Sequence, residues 1–342
     1  MVQADAPGGG PSAGQAQLSR QLVEELVRAA VAAPSMHNAQ PWRFRVRPGM
    51  RVIELRADPA RMLPYADPRG RGMHIGCGAA LFNLRLAAAV AGRKPAVQPF
   101  PDPDEPLLLA TVGFTGPYHA DHAERELHAA IPHRRTNRGP FEGQPLPSSA
   151  LAELAEAAGR EDAILHILDH NETVRMLHLA ADAESGQLAD PAYRAELAQW
   201  VGGQRDRDGI PDSALGPRAA TGLTPVRDFT PTRPAPVRYA SFETTPQLAV
   251  LSTRVSAPAD WLRAGQALQR VLLTAAAREI ATTPLTQPLE TADAWLVRDP
   301  RSGIEEPQMI LRLGYGPPVP PTPRRRVCEV LDLPPQNLPP GE

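Results

Sequence analysis

A long alanine-rich helix is written into this chain twice. Shifting Gly78-Ala79-Ala80-Leu81 through Leu86-Ala87-Ala88-Ala89 by 187 positions lands on Gly265-Gln266-Ala267-Leu268 through Leu273-Thr274-Ala275-Ala276, with Leu84 meeting Val271. In each half the helix precedes an apolar strand ending in glycine and an aromatic, Gly113-Phe114 first and Gly314-Tyr315 second. Alanine- and leucine-rich helices can resemble one another by chance. The alternative is a unit fused to its own copy, which buries inside one chain the symmetric interface that a homodimer buries between two. At 342 residues the chain is long enough for two such units.

Hydrophobic periodicity supplies the rest of the order. Leu22, Val23, Leu26, Val27, Ala30 and Val31 follow helical spacing over 18–32, and Pro34 stops that helix. Trp42, Phe44 and Val46 alternate as a half-buried strand, and 52–55 can return on it across Pro48-Gly49. The first long helix covers 75–91 and ends at Gly92, and 107–114 is a buried strand. Helices are expected at 121–131, 148–158, 171–186, 191–201 and 258–280, and strands at 163–168, 247–253 and 308–314. The stretch 202–237 has six prolines and five glycines without sustained period, too long for a routine connection, so it is either disordered or a functional lid. The ends, 1–16 and 332–342, are rich in glycine and proline and read as tails. This gives an α+β fold of two halves, 17–118 and 119–331.

Composition closes several routes. A net charge of −2 gives no electrostatic footprint for nucleic acid or an acidic membrane. No stretch approaches ~18 consecutive apolar residues. Cys77 and Cys328 stand far apart, with no disulfide or zinc-ligand pattern, and the first residues lack a signal-peptide profile; the expectation is a reduced, cytoplasmic protein. Of 36 basic residues only Lys94 is lysine, so there is no Walker-A motif. Arginine remains, whose planar fork suits phosphate and carboxylate. Gly70, Gly72 and Gly76 mimic a dinucleotide fingerprint but follow a proline loop instead of a strand. His119 with His122, and His166 with His170, have no converging Cys or carboxylate set.

Three segments carry chemistry. Ala33-Pro34-Ser35-Met36-His37-Asn38-Ala39-Gln40-Pro41-Trp42 is a polar loop pinched between prolines, either a plain helix-to-strand turn or a fixed display of amides and side chains. His133-Arg134-Arg135-Thr136-Asn137-Arg138 holds three arginines in five residues, either a solvated cluster or a fork for phosphate. Arg324-Arg325-Arg326 follows the last strand, with the same two readings.

These segments resemble the motifs of the nitroreductase-fold flavoproteins: the proline-serine-asparagine loop at 33–42, and the arginine motif at 134–138, with Thr136 where serine is usual. The whole chain, from about Leu22 to Leu331, is similar to the Acg branch, whose members are fused to double length. The resemblance implies a nitroreductase-like pseudo-dimer within one chain, a monomer by default, with one FMN between the halves. Pro34, Ser35, Met36 and Asn38 would come from the first half. Arg134, Arg135, Thr136, Arg138, Pro284, Leu285, Gln287, Arg324 and Arg326 would come from the second, with Arg138 at the N1 and C2 carbonyl edge. The first half lacks its own arginine motif, so a second flavin would have no phosphate clamp. The implied activity is hydride transfer at flavin N5 from NADH or NADPH to a small electron-poor acceptor such as a nitro compound or quinone, with no protein acid or base. The competing expectation is an FMN-sequestering, stress-related protein whose 202–237 segment occludes the ring.

Overall fold

The computed structural model describes residues 17–223, 225–229, 237–291, 294–298 and 305–335. The expected tail at 1–16, residues 336–342 of the tail expected at 332–342, and positions 224 and 230–236 of the long irregular stretch lie outside them; the start of the expected C-terminal tail is instead ordered, Asp332 belonging to a strand. In chain order the elements are α1 (Arg20–Val31), β1 (Trp42–Val46), β2 (Val52–Ala57), α2 (Arg71–Val90), β3 (Arg93–Pro99), β4 (Leu108–Pro117), α3 (His122–Ala130), α4 (Ser148–Gly159), β5 (Ile164–Ile167), α5 (His170–Ala189), α6 (Pro191–Trp200), β6 (Arg218–Ala219), β7 (Tyr239–Ala240), β8 (Gln247–Thr253), α7 (Pro258–Ala277), β9 (Ala281–Pro284), β10 (Glu306–Gly314), α8 (Val327–Val330) and β11 (Leu331–Asp332).

The duplication reaches further than one helix and one strand. The first half runs α1, β1, β2, α2, β3, β4, and the second α4, β5, β8, α7, β9, β10. Within each half the strands lie side by side in the same order, first, second, fourth, third: β1-β2-β4-β3 and β5-β8-β10-β9. All these neighbours are antiparallel. The halves differ at the connection between their first two strands. In the first half it is a tight turn; in the second it carries α5, α6 and residues 202–246. The chain's end crosses over, and β11 adds to the first sheet parallel to β1, with Phe44 opposite Leu331.

Each sheet has its own core. The first gathers Trp42, Phe44, Ile53, Leu55, Leu109 and Phe114 under α1 and α2. The second gathers Leu165, Leu251, Leu311 and Leu313 under α4 and α7. The halves meet where α2 crosses α7. A Cβ on Gly78 would stand 2.1 Å from the carbonyl oxygen of Leu262, and one on Gly265 would stand 2.0 Å from that of Ile75. These contacts are reciprocal under the 187-residue shift, as at the axis of a symmetric dimer.

Burial explains an exception to the membrane reading. α2 is long and apolar enough to cross a bilayer by length and composition, but 89% of its most apolar window is buried inside the protein. It starts at Arg71, before the expected 75, because Asp67 caps it, accepting from the Gly72 amide at 3.0 Å and the Met73 amide at 2.7 Å. α7 stops at Ala277 rather than 280, and the chain turns at Glu279, whose φ is +56°, into β9.

Candidate functional site

The loop after α1 holds a strained shape. His37, Asn38 and Gln40 have φ of +49°, +55° and +55°, a left-handed region that non-glycine residues seldom occupy. The loop's own polar side chains hold it there, bonded within the loop and to groups of distant segments. Ser35 Oγ accepts from the Gln40 amide at 2.9 Å. Asn38 Nδ2 donates to the carbonyls of Gly209 (2.9 Å) and Pro323 (3.0 Å), while its Oδ1 accepts from Arg324 at 3.0 Å. Gln40, wholly buried, donates to the Arg207 carbonyl at 2.8 Å and accepts from the Arg325 amide at 2.8 Å. Two α2 glycines seat the loop: a Cβ on Gly72 would come within 2.7 Å of Met36 Cε, and one on Gly76 within 3.1 Å of Ser35 Cβ. The glycine spacing at 70–76 therefore serves close packing.

The arginine segment faces this loop with unmatched charge. Arg134 is 5% exposed, and its Nε has no partner; burial, then the fields of Arg324 and Arg135, hold its pKa down to about 9. Arg324 Nε is also unpartnered, and burial, then Arg135, lowers its pKa to about 10. Among the described residues neither has a carboxylate within ion-pair distance. Arg138 donates to the Ala214 carbonyl at 2.9 Å and lies 5.4 Å from the Phe229 ring centre, and burial, then Arg227, lowers its pKa to about 10. Arg312 shows the opposite case: fully buried between Phe141 and Phe242, it meets Glu243 at 2.5 and 2.6 Å and anchors the Gly139 carbonyl.

A narrow cavity of ≈ 100 Å³ lies where the segments meet. Pro34, Ser35 and Met36 from the first half line it, with Thr136, Arg138 and Pro284 from the second. Arg134 and Arg135 wall a neighbouring cavity, and Asn38 sits behind the loop on Arg324. Three expected residues are placed elsewhere. Leu285 is core, packed with Leu248 and Ile310. Gln287 is buried and donates to Glu184 at 3.2 Å. Arg326 is an exposed side chain turned to Glu329, because the chain there is extended and alternates; Arg325 points inward to Asp58 and the Gln40 carbonyl.

His37, Arg71, Arg227 and Phe229 also wall the cavity, and nothing in the sequence marks them as site residues. The last two come from 225–229, in the long irregular stretch. Ile210, Leu215 and Phe229 pack with Ala39, Leu63, Tyr193 and Leu197 into a small core, and Arg61 pairs with Asp208 at 2.8 Å. Arg227 is held by Glu290 at 2.6 and 2.8 Å.

His37 is the cavity's unsatisfied polar group. It is 6% exposed, its Nε2 has no partner, and burial, then Arg227, pushes its pKa down to about 3; Arg138 adds to the effect and Glu290 opposes it. The unfolded state therefore binds more protons than the folded one between these values. Stability is intact above ~6.5 and falls as pH drops toward 3, by up to about 1.4 kcal/mol per pH unit. His37→Phe should flatten the urea midpoint against pH between 6.5 and 4; an unchanged slope would show that the imidazole protonates within the fold.

No protein-family model matches the chain. A structure described as a candidate nitroreductase from Anabaena variabilis superposes with a TM-score of 0.53 over 87% of this chain and 88% of its own, at 12% identity, a likeness of fold. The two fused halves make a nitroreductase fold. Rv3131 of Mycobacterium tuberculosis, named as a candidate NAD(P)H nitroreductase, is 36% identical over 347 residues, 98% of this chain and 99% of its own. The similarly named acg protein of that organism is 32% identical over 318 residues, 91% and 96% of the two chains. The chain belongs to this NAD(P)H nitroreductase family.

Proposed function

We propose that the protein binds one FMN between its halves and works as an NAD(P)H-dependent oxidoreductase, passing hydride in ping-pong fashion to a small electron-poor acceptor such as a nitro compound or quinone. The observation that carries this reading is the buried pair Arg134 and Arg324, each with an unpartnered Nε and, among the described residues, no carboxylate partner: Arg134 walls a cavity that shares Leu272 with the slot lined by the other half's loop, and Arg324 bonds that loop at Asn38. A guanidinium buried without an anion is costly, and a phosphate monoester is the anion its fork fits. Arg134, Arg135, Arg324 and the Thr136 hydroxyl would hold that phosphate; Pro34, Ser35, Met36 and Pro284 would flank the ring. When bound, FMN supplies the hydride-accepting and hydride-donating chemistry. Arg138, buried and positive, favours negative charge developing beside it. Ile210 and Phe229 keep water from that wall.

The pseudo-symmetric position argues for a single cofactor. Leu268 and Leu272 line the cavity, and the 187-residue shift maps them onto Leu81 and Arg85. There Arg85 meets Glu161 at 2.8 Å and Gln266 at 2.7 Å, and Glu161 also takes Arg270 at 2.7 Å. Protein charge fills the place a second ring would take. The internal pairing of halves also supports a monomer.

A flavin-holding role is the second reading, and the packing of Ile210, Leu215 and Phe229 against loop and cavity favours it, as a lid. Anaerobic mixing with NADH or NADPH separates the two. Bleaching of the flavin band near ~450 nm is expected. A yellow protein that does not bleach would leave the holding role, and a colourless one that takes up no FMN would end both.

A further inference from the structure

The inner cavity carries more positive charge than a flavin consumes. Its wall holds three guanidinium groups, those of Arg71, Arg138 and Arg227, beside the uncharged imidazole of His37, and no carboxylate among the described residues. Arg227 is neutralised by Glu290, and Arg138 is assigned above to the ring. Arg71 has no such role. It is 5% exposed, and among the described residues it forms no ion pair; its hydrogen bonds go to two carbonyls, those of Gln308 and Leu289. The two carboxylates whose fields reach it are engaged elsewhere, Asp67 with the Gly72 and Met73 amides and Glu290 with Arg227. Burial accordingly pulls the Arg71 pKa down.

Its position is as informative as its charge. Arg71 opens α2 and walls two cavities at once: the inner slot, and an outer cavity of ≈ 720 Å³ bounded by Asp67, Arg69, Ser256, Glu290 and Pro307. A ring in the narrow slot leaves a second molecule the outer cavity to approach through, and Arg71 is the partition it would meet. His37 adds an independent sign, a buried Nε2 on the same inner wall with nothing to bond.

We propose that Arg71, with His37, forms an anion subsite that selects substrates bearing a carboxylate, arriving from the outer cavity and seated against the inner one. The inference rests on the flavin reading only in naming the ligand a substrate. The guanidinium supplies charge and a two-pronged fork, and the imidazole, neutral in this setting, supplies a donor without repelling the cation.

The test is calorimetric titration of the purified full-length protein with benzoate and with benzamide, its uncharged near-isostere, the flavin content of each sample being read by absorbance. Benzoate is expected to bind at least ~10-fold tighter, the usual margin of a charged over a neutral hydrogen-bonding partner. Arg71→Met should erase that ratio while retaining flavin, and Arg71→Lys should restore part of it. Equal binding of the two probes by the unaltered protein overturns the proposal without recourse to a variant. A ratio that persists in Arg71→Met also overturns it, as does loss of flavin from that variant, which would make Arg71 a cofactor residue. A colourless protein that still prefers benzoate would end the oxidoreductase reading and leave the subsite standing.

Discussion

Arg134→Ala is expected to weaken FMN binding by one to two decades, and Arg134→Ala with Arg324→Ala by about two to four. Each guanidinium would make charge-assisted hydrogen bonds to a phosphate, worth ~1.5–3 kcal/mol apiece, and every 1.4 kcal/mol is a factor of ten. The sign of the effect on the flavin-free protein is opposite. Arg134 is buried with an orphan Nε and repelled by Arg324 and Arg135, so its removal relieves charge. Thermal unfolding without flavin should be unchanged or shifted upward, while fluorescence titration shows the affinity loss. Arg326→Ala serves as the internal contrast. Its side chain is 70% exposed and faces Glu329, so binding should stay within about twofold, the usual reach of an exposed pair. Loss of affinity in Arg326→Ala equal to that in Arg134→Ala would place the phosphate on the protein surface and reject the buried clamp.

That contrast marks where the sequence stops being legible. The run 324–326 reads as three equivalent cations. Only the extended backbone decides that Arg325 turns to Asp58 and Arg326 to solvent. Arg71 and Arg227 give no signal at all, because what distinguishes them is burial by distant segments: Arg71 meets carbonyls 218 and 237 residues away in the chain, and Arg227 meets Tyr193 and Glu290, 34 and 63 residues away. Elements show the same division. Strand β8 is expected at 247–253 and found there, since its core face is a run of apolar residues buried on both sides. Strand β3 is not readable: Pro95 and Pro99 interrupt it and its residues are half-buried or exposed, which an edge strand tolerates because one side needs no partner. Strand β9 hides for another reason, its buried positions being Thr282 and Thr283. The loop at 33–42 was legible as a motif, but its pinning by Gly209, Arg207 and Pro323 was not, because those partners come from the segment without a period and from the far end of the chain.

Gly265→Ala should be the most damaging single methyl in the molecule. The added carbon would stand 2.0 Å from the Ile75 carbonyl oxygen and 2.8 Å from Gly78 Cα, both backbone atoms of α2. No side chain can swing aside to admit it, so two 20-residue helices must separate. Each helix anchors a core, α2 in the first half and α7 in the second, so separation loosens both. Overpacking that flexible side chains can absorb costs ~1–3 kcal/mol, and a backbone clash belongs at or above the upper end of that range. Gly78→Ala, 2.1 Å from Leu262 O, should cost as much, because the contact is the same one seen from the other half. Gly186→Ala supplies the opposite sign: it sits in α5 with nothing within 4 Å, and exchanging glycine for alanine in an open helix should stabilise by roughly 0.5–1 kcal/mol. The three urea midpoints, measured together, separate a specific crossing from a general intolerance of change. The cavity reports the same event, since Ile75 and Gly76 of α2 and Leu268 and Leu272 of α7 wall it from the two sides of the crossing. A Gly265→Ala protein that holds FMN normally and unfolds within about 0.5 kcal/mol of the parent, the range of an ordinary surface change, would mean that the halves do not meet backbone to backbone.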